Sequence, residues 1–329
     1  MKKLSLVIFG LLIIPLFLFT SCDTGDDVVV SEPSFSILKS YMIENQLDAS
    51  GVLSSSAGTK FVVAPPTTAA DVPAFLSKFN IIDIRGAADY ANGHIDGAVN
   101  VKFENILTAT SSSKPTLVVC YSGQTACYAT ALLRMYGQSE TQALKWGMSG
   151  WNSTTAGSWN NNIGNVASGN ANWTFDAAPA NLTFSDPVFS SISVDGNTIL
   201  KKRVEYVVSQ GFKNVSASDV VNNPGNYFIN NYFNNTDYIG FGHIKGAYRV
   251  NPLLLSDNSY QKLDPTAGAK VVTYCYTGQT SAVMTAWLNV IGYDAYSLLF
   301  GMNGLNNENG AWSSNKWSAA VSKEYELVN

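Results

Sequence analysis

A six-residue stretch, CYSGQT (120–125), returns later in the chain as CYTGQT (275–280). Two further blocks repeat in the same order, GHIDGA (93–98) as GHIKGA (242–247) and GMSG (147–150) as GMNG (301–304). Blocks that recur in one order and at nearly equal spacing indicate an internal duplication. The sequence therefore predicts two copies of one structural unit.

Length and composition agree with two folded units. The chain has 329 residues, of which 46% are hydrophobic and 13% charged, a mixture that suits a protein with a sizeable core. At about 150 residues per domain this length predicts two domains. The formal net charge is −4 and no Lys/Arg block occurs, so nucleic acid is not an expected partner. With two histidines and four cysteines we expect no metal site and no cofactor.

The N-terminus is typical of a secretory signal. Lys2 and Lys3 precede an apolar run from 4 to 19, and small residues follow in TSC (20–22). This ending resembles the bacterial lipobox, whose cysteine is lipidated and becomes the first residue of the mature protein.

On that resemblance we expect a lipoprotein signal peptide at 1–21, lipidation at Cys22 and a polar, acidic tether at 22–33. The predicted location is the bacterial cell envelope, lipid-anchored on the extracytoplasmic side, either periplasmic or at the surface. A plain signal peptide or a membrane anchor is the alternative.

Each copy alternates strand and helix patterns. Predicted strands lie at 80–85, 116–119 and 270–274, predicted helices at 126–136 and 281–291, and helical openings to the two copies at 38–47 and 199–210. This alternation implies parallel sheets with helices on both faces. The predicted fold class is α/β, with one domain at 34–161, a second at 196–329 and a linker rich in Asn, Ser and Gly at 162–195.

The repeated cysteine lies where α/β folds place their ligands, between a buried strand and a helix start. Backbone N–H groups of such a loop favour negative charge, so we expect them to depress the pKa of Cys120 and Cys275 and to hold an anion bound to sulfur. The chemistry that fits is a nucleophilic thiolate forming a covalent intermediate. A buried structural cysteine is the alternative, and recurrence of the whole loop favours the functional interpretation.

Other loop residues have expected roles as well. Gly123 and Gly278 are predicted to supply a positive φ. The neighbouring polar residues are predicted to cap the helices (Thr125, Thr280) and to offer hydroxyl donors (Ser122, Thr277).

Taken together, IIDIR (81–85), GHI-x-GA, VVCYSGQT and GM-x-x-W resemble a rhodanese domain, and the chain resembles a tandem of two. The resemblance implies a sulfurtransferase that carries a sulfane sulfur as a cysteine persulfide, with Cys120 and Cys275 as catalytic nucleophiles. The expected partners are a small sulfur-containing donor, thiosulfate or similar, and a thiol or other thiophilic acceptor. The implied substrate-binding loops consist of Tyr121, Ser122, Gly123, Gln124 and Thr125, and of Tyr276, Thr277, Gly278, Gln279 and Thr280.

The second copy departs from this pattern. Asp83 and Arg85, interpreted as packing and ion-pair residues, correspond to about Asn231 and Phe233. One active domain with one regulatory domain is therefore an alternative, as is a non-catalytic binding or scaffold lipoprotein. Neither loop contains Arg or Lys, which weakens the expectation of thiosulfate as the natural donor.

A related phosphatase would need an arginine six residues after the cysteine to clamp phosphate, and Ala126 and Ser281 occupy those positions. The sequence therefore argues against a phosphatase. Cys127 is predicted to be a packed core residue rather than a resolving thiol, and His94 and His243 to be parts of a structural turn.

Overall fold

The computed structural model describes residues 33–109 and 113–329. The predicted signal peptide and Cys22 lie outside the described residues, as does the predicted tether apart from Pro33. Within the described ranges, no helix is long and apolar enough to cross a bilayer.

The first repeat is built on a five-stranded parallel sheet. Its elements are α1 (Ser34–Glu44), α2 (Ala49–Leu53), β1 (Val62–Val63), α3 (Val72–Leu76), β2 (Asn80–Asp83), α4 (Ala87–Ala91), β3 (Ala98–Asn100), β4 (Thr116–Val119), α5 (Gln124–Met135), β5 (Gln142–Leu144), α6 (Met148–Trp151) and α7 (Gly157–Asn160). The strand order is β1-β5-β4-β2-β3, and all four residues of β4 are buried. The predicted parallel α/β unit is confirmed.

The second repeat has a four-stranded parallel sheet in the order β7-β11-β10-β8. Following β6 (Trp173–Thr174), its elements are α8 (Gly196–Gln210), β7 (Asn214–Val215), α9 (Ala217–Asn222), β8 (Phe228–Asn231), α10 (Asn235–Phe241), β9 (His243–Ile244), β10 (Val271–Tyr274), α11 (Gln279–Val290), β11 (Ala295–Leu298) and α12 (Gly301–Asn306). β10, which precedes Cys275, takes the central position that β4 has in the first repeat.

The two long helices α5 and α11 pack against each other and join the repeats. Apart from Thr125 and Thr280, every residue of the two helices is buried. A helix that is buried on nearly every side lies inside a core, and the largest apolar cluster of the described residues draws on both repeats. The α5 and α11 surfaces therefore form a shared core between the repeats.

The chain after each repeat crosses to the other one. Residues after α7 bind the second repeat, where Ala167 N donates to Leu305 O (2.9 Å) and β6 pairs antiparallel with β9. Residues after α12 return to the first repeat, where Tyr325 N donates to Trp151 O (3.2 Å) and Val328 N donates to His94 O (2.9 Å). The described residues, 33–109 and 113–329, pack as one compact unit.

The two histidines have matching structural surroundings. His94 stacks on Tyr90 and His243 on Tyr238, with ring centroids 3.7 and 3.8 Å apart. Both rings are buried, and burial lowers the pKa of His243. These contacts agree with a structural turn.

Candidate active site

Both cysteines lie at the carboxyl ends of central strands, Cys120 after β4 and Cys275 after β10. The following glycines adopt left-handed backbone conformations, as predicted, with φ of 82° at Gly123 and 76° at Gly278. Each loop turns there and leads directly into a helix.

The repeated GM block forms a backbone hydrogen bond to the cysteine in each repeat. Met148 N donates to Cys120 O (2.8 Å), and Met302 N donates to Cys275 O (2.9 Å). A side-chain carbon at Gly147 would collide with Cys120 O, so only glycine permits this approach. The repeated GM and cysteine blocks therefore meet at one site in each repeat.

The thiol of Cys120 lies against two backbone N–H groups, one from its loop and one from the first turn of α5. Its Sγ accepts hydrogen bonds from Gly123 N (3.2 Å) and Ala126 N (3.3 Å), and the residue is 6% exposed. Burial raises the pKa of the Cys120 thiol, and the opposing N–H groups of Ala126, Gly123 and Ser122 do not cancel it. The predicted depressed pKa is therefore wrong for Cys120: loss of solvent outweighs the loop dipoles.

The thiol of Cys275 has different partners. Its Sγ accepts from Ser281 N (3.3 Å), and the thiol donates to Ser281 Oγ at 3.6 Å. Ser281 Oγ lies 2.9 Å from Ser297 Oγ. Because Ala126 occupies the corresponding position in the first repeat, only the second thiol adjoins a hydroxyl pair, and the two sites are chemically unequal.

The predicted capping roles are wrong. Each helix starts directly after its left-handed glycine, so Thr125 and Thr280 are second residues of α5 and α11 rather than caps. The hydroxyls that bond the helix starts are those of Ser122, which accepts from Gln124 N (3.4 Å), and Thr277, which accepts from Gln279 N (3.2 Å). In the structure these hydroxyls accept backbone N–H groups.

The acidic strand end of the first repeat becomes an amide in the second. Asp83 pairs in register with Val119, and Asn231 pairs with Tyr274, so both lie beside the residue that precedes the cysteine. This register confirms the correspondence inferred from the sequence. Asn231 Nδ2 donates to Tyr274 Oη (2.8 Å), which replaces an ionic contact with a neutral one.

The arginine that pairs with Asp83 in the first repeat is replaced by an aromatic residue in the second repeat. Arg85 Nη2 lies 2.6 Å from Asp83 Oδ2, and the guanidinium lies 5.0 Å from the ring centroid of Tyr121. Phe233 instead stacks on Tyr276, with centroids 4.3 Å apart. Arg85 and Phe233 therefore support equivalent tyrosines beside the two cysteine loops, in agreement with the packing role predicted for Asp83 and Arg85.

The third cysteine of the described residues lies in the core. Cys127 is fully buried and unpaired, and burial raises the pKa of its thiol well above the usual range, which agrees with a core residue.

A cavity adjoins the first cysteine loop. It has a volume of about 390 Å³, opens beside Tyr121 and is lined by Thr154, Thr155, Gly157, Ser158, Asn161 and Asn162. Sequence reasoning missed these polar residues because an Asn- and Ser-rich run reads as loop.

Comparison with known proteins agrees with this geometry. The sequence model of the rhodanese-like domain family matches this chain at residues 68–154 and 233–308. Thiosulfate sulfurtransferase GlpE of Shewanella oneidensis is 35% identical over 79 residues, which are 23% of this chain and 78% of the relative. GlpE of Pseudomonas fluorescens is 35% identical over 77 residues, 22% of this chain and 71% of the relative.

Two solved structures are also similar. Thiosulfate sulfurtransferase from Pseudomonas aeruginosa has a TM-score of 0.29 and 17% identity, covering 86% of this chain and 49% of that one. The 3-mercaptopyruvate sulfurtransferase SseA of Escherichia coli has a TM-score of 0.27 and 17% identity, covering 78% and 100%. With the matched domain occurring twice and the curated relatives above, the chain belongs to the rhodanese-like family, as a tandem of two such domains.

Proposed function

We propose that the protein is a sulfurtransferase that moves a sulfane sulfur from a small donor to a thiophilic acceptor through a persulfide on Cys120, Cys275 or both. One observation carries the proposal: in each repeat the cysteine sulfur accepts backbone N–H at the start of a long helix. These N–H groups favour negative charge on sulfur, in opposition to the burial that raises the pKa of the Cys120 thiol. Membership of the rhodanese-like family and the similarity to sulfurtransferases support it.

The reaction would proceed in two displacements. The cysteine thiol first loses its proton to solvent, and the thiolate attacks the outer sulfur of the donor. The donor's sulfur–sulfur or carbon–sulfur bond breaks, its electron pair leaves with the remainder of the donor, and a cysteine persulfide forms. The acceptor then attacks the outer persulfide sulfur and the cysteine thiolate leaves. Gly123 N and Ala126 N would hold the charge on Cys120 Sγ in both steps.

The donor is best sought among compounds with little negative charge. Loop residues 121–125 and 276–280 contain no Lys or Arg, and Arg85 beside Tyr121 is already paired with Asp83. A dianion such as thiosulfate would therefore enter without a free cation in either loop. We expect mercaptopyruvate, which carries a single carboxylate charge, to react faster than thiosulfate.

A donor series tests the activity. The protein is incubated with thiosulfate, mercaptopyruvate or polysulfide, with cyanide as acceptor, and thiocyanate is measured over time. We expect turnover with at least one donor, and the same turnover from a Cys127→Ser control, because Cys127 lies in the core. Absence of turnover with all three donors would favour a non-catalytic binding module, an alternative that the near-complete burial of both loop thiols favours.

We also propose that the protein is lipid-anchored in the bacterial cell envelope through Cys22. The support is the signal-like N-terminus that ends in TSC (20–22). A Cys22→Ala protein should move from the membrane fraction to the soluble fraction when cells are fractionated, whereas Cys127→Ser should stay with membranes. Membrane association that persists in Cys22→Ala would contradict the proposal.

A further inference from the structure

The two cysteine loops lie against each other, and each sends a glutamine across the interface between the repeats. Gln279 is 3% exposed, and its Nε2 donates to Ser122 O (3.2 Å) of the first loop. Gln124 is 1% exposed, and its Oε1 accepts from Phe300 N (2.7 Å) of the second repeat. Each glutamine therefore belongs to one repeat, while its side chain forms a hydrogen bond with the backbone of the other repeat.

The crossing is tight at the loop glycines. A side-chain carbon at Gly123 would collide with Gln279 Nε2, and one at Gly278 would collide with Gln124 Oε1. Gly123 is one of the two residues whose N–H donates to Cys120 Sγ, the other being Ala126. The glutamine of the second repeat therefore packs on the part of the first loop that holds the thiol.

The second loop receives corresponding support through Phe300. Its neighbour Gly301 packs so closely on Cys275 O that a side-chain carbon there would collide with it. Gln124 thus holds the segment on which the Cys275 loop rests.

An aromatic cluster encloses this crossing. Trp159 of the first repeat stacks on Trp317 after the second, with centroids 5.2 Å apart, and both are fully buried. Trp159 Nε1 also donates to Ser122 O (3.1 Å), the same oxygen that Gln279 bonds. In such a dry setting an amide that loses its partner is costly, so these bonds hold the loop backbone firmly.

We propose that Gln279 is a positioning residue for Cys120, and Gln124 the corresponding residue for Cys275, so that each repeat controls the reactivity of the other's thiol. Without Gln279 the Ser122–Gly123 segment loses a bond and a packing partner, and the buried thiol of Cys120 becomes accessible more often. Cys275 does not respond, because the side-chain contacts of Gln279 given above lie in the first repeat. The consequence for sulfur transfer rests on the proposed function, whereas thiol accessibility does not.

Alkylation of the full-length protein tests the crossed effect. Iodoacetamide is attacked by a cysteine thiolate and releases iodide, and peptide mass spectrometry gives separate rates for Cys120 and Cys275. In Gln279→Ala we expect the rate at Cys120 to rise by about tenfold, the factor that the loss of one buried hydrogen bond corresponds to, and the rate at Cys275 to stay within about twofold of wild type. In Gln124→Ala the larger rise should appear at Cys275.

Asn289→Ala is the matched control. Asn289 is another buried amide of α11 whose Nδ2 reaches across to Tyr128 Oη (3.5 Å), but it lies near the other end of the helix. The Asn289→Ala variant should leave the ratio of the two alkylation rates near its wild-type value.

If Gln279→Ala fails to fold, Gln279→Met fills the space without the hydrogen bond and should raise the alkylation rate of Cys120 in the same way. Equal rises at both cysteines, a rise at Cys275 alone, or no change in Gln279→Ala overturns the proposal. A protein without sulfurtransferase activity that still shows the crossed pattern would overturn only the proposed function.

Discussion

A Cys120→Ser/Cys275→Ser variant should lose donor-dependent thiocyanate formation down to the rate of the donor and cyanide alone. A serine hydroxyl is nearly the same size as the thiol but is not ionised near neutral pH and forms no persulfide, so the fold should survive while the chemistry stops. The measurement is steady-state turnover with the best donor, together with a thermal unfolding curve that verifies the fold. Turnover close to wild type in a folded double variant would contradict a role for either cysteine.

The single variants divide the activity between the repeats. Each loop has its own N–H donors to sulfur, so we expect Cys120→Ser and Cys275→Ser each to keep part of the turnover. Complete loss in one of them would identify the other repeat as regulatory, which is one of the alternatives raised by the departures in the second copy. Cys127→Ser is the common control because that thiol is fully buried in the shared core.

Arg85→Phe should destabilise the protein by about 3–5 kcal/mol, the usual cost of leaving one partner of a buried ion pair alone. The side chains of Arg85 and Asp83 are only 2% and 1% exposed, so an unpaired Asp83 carboxylate has almost no water to solvate it. Arg85 also donates to Gly93 O (2.8 Å), which ties the strand end to the GHI block. Denaturant unfolding measures the loss as a lower midpoint.

The second repeat supplies the matching rescue. Asn231 and Phe233 occupy the positions of Asp83 and Arg85 without any charge, so Asp83→Asn/Arg85→Phe should recover most of the loss and unfold within about 2 kcal/mol of wild type. Lys102→Ala, which breaks the exposed Lys102–Glu104 pair, should change the midpoint little. A double variant no more stable than Arg85→Phe would show that the ion pair is not a replaceable support of the loop.

Local pattern was sufficient for the parts of the site that depend on neighbouring residues. The strand that ends at Val119, the left-handed Gly123 and the helix after it follow from β-branched residues, a glycine and an apolar run, and all three are present. The helix begins two residues earlier than the sequence pattern predicts, because a left-handed glycine lets it start at Gln124 without a capping threonine.

Features that depend on contacts between residues far apart in the sequence cannot be predicted from local sequence pattern. No local signal marks Tyr325 as part of the first repeat, since it reaches Trp151 only after the chain has formed the whole second repeat. The exchange of Gln124 and Gln279 arises because two similar units face each other, and a repeated motif does not reveal which copy its side chains serve. The raised pKa of Cys120 has the same origin, because burial by the tertiary structure opposes the loop N–H groups.

Intact and peptide mass spectrometry of the wild-type protein, after incubation with sulfane donors and removal of the excess, is the most direct experiment. The proposed mechanism predicts a gain of one sulfur atom on the peptide that carries Cys120, Cys275 or both, and its loss when cyanide is added. No gain on either peptide with thiosulfate, mercaptopyruvate or polysulfide, or a gain confined to Cys127, would contradict it.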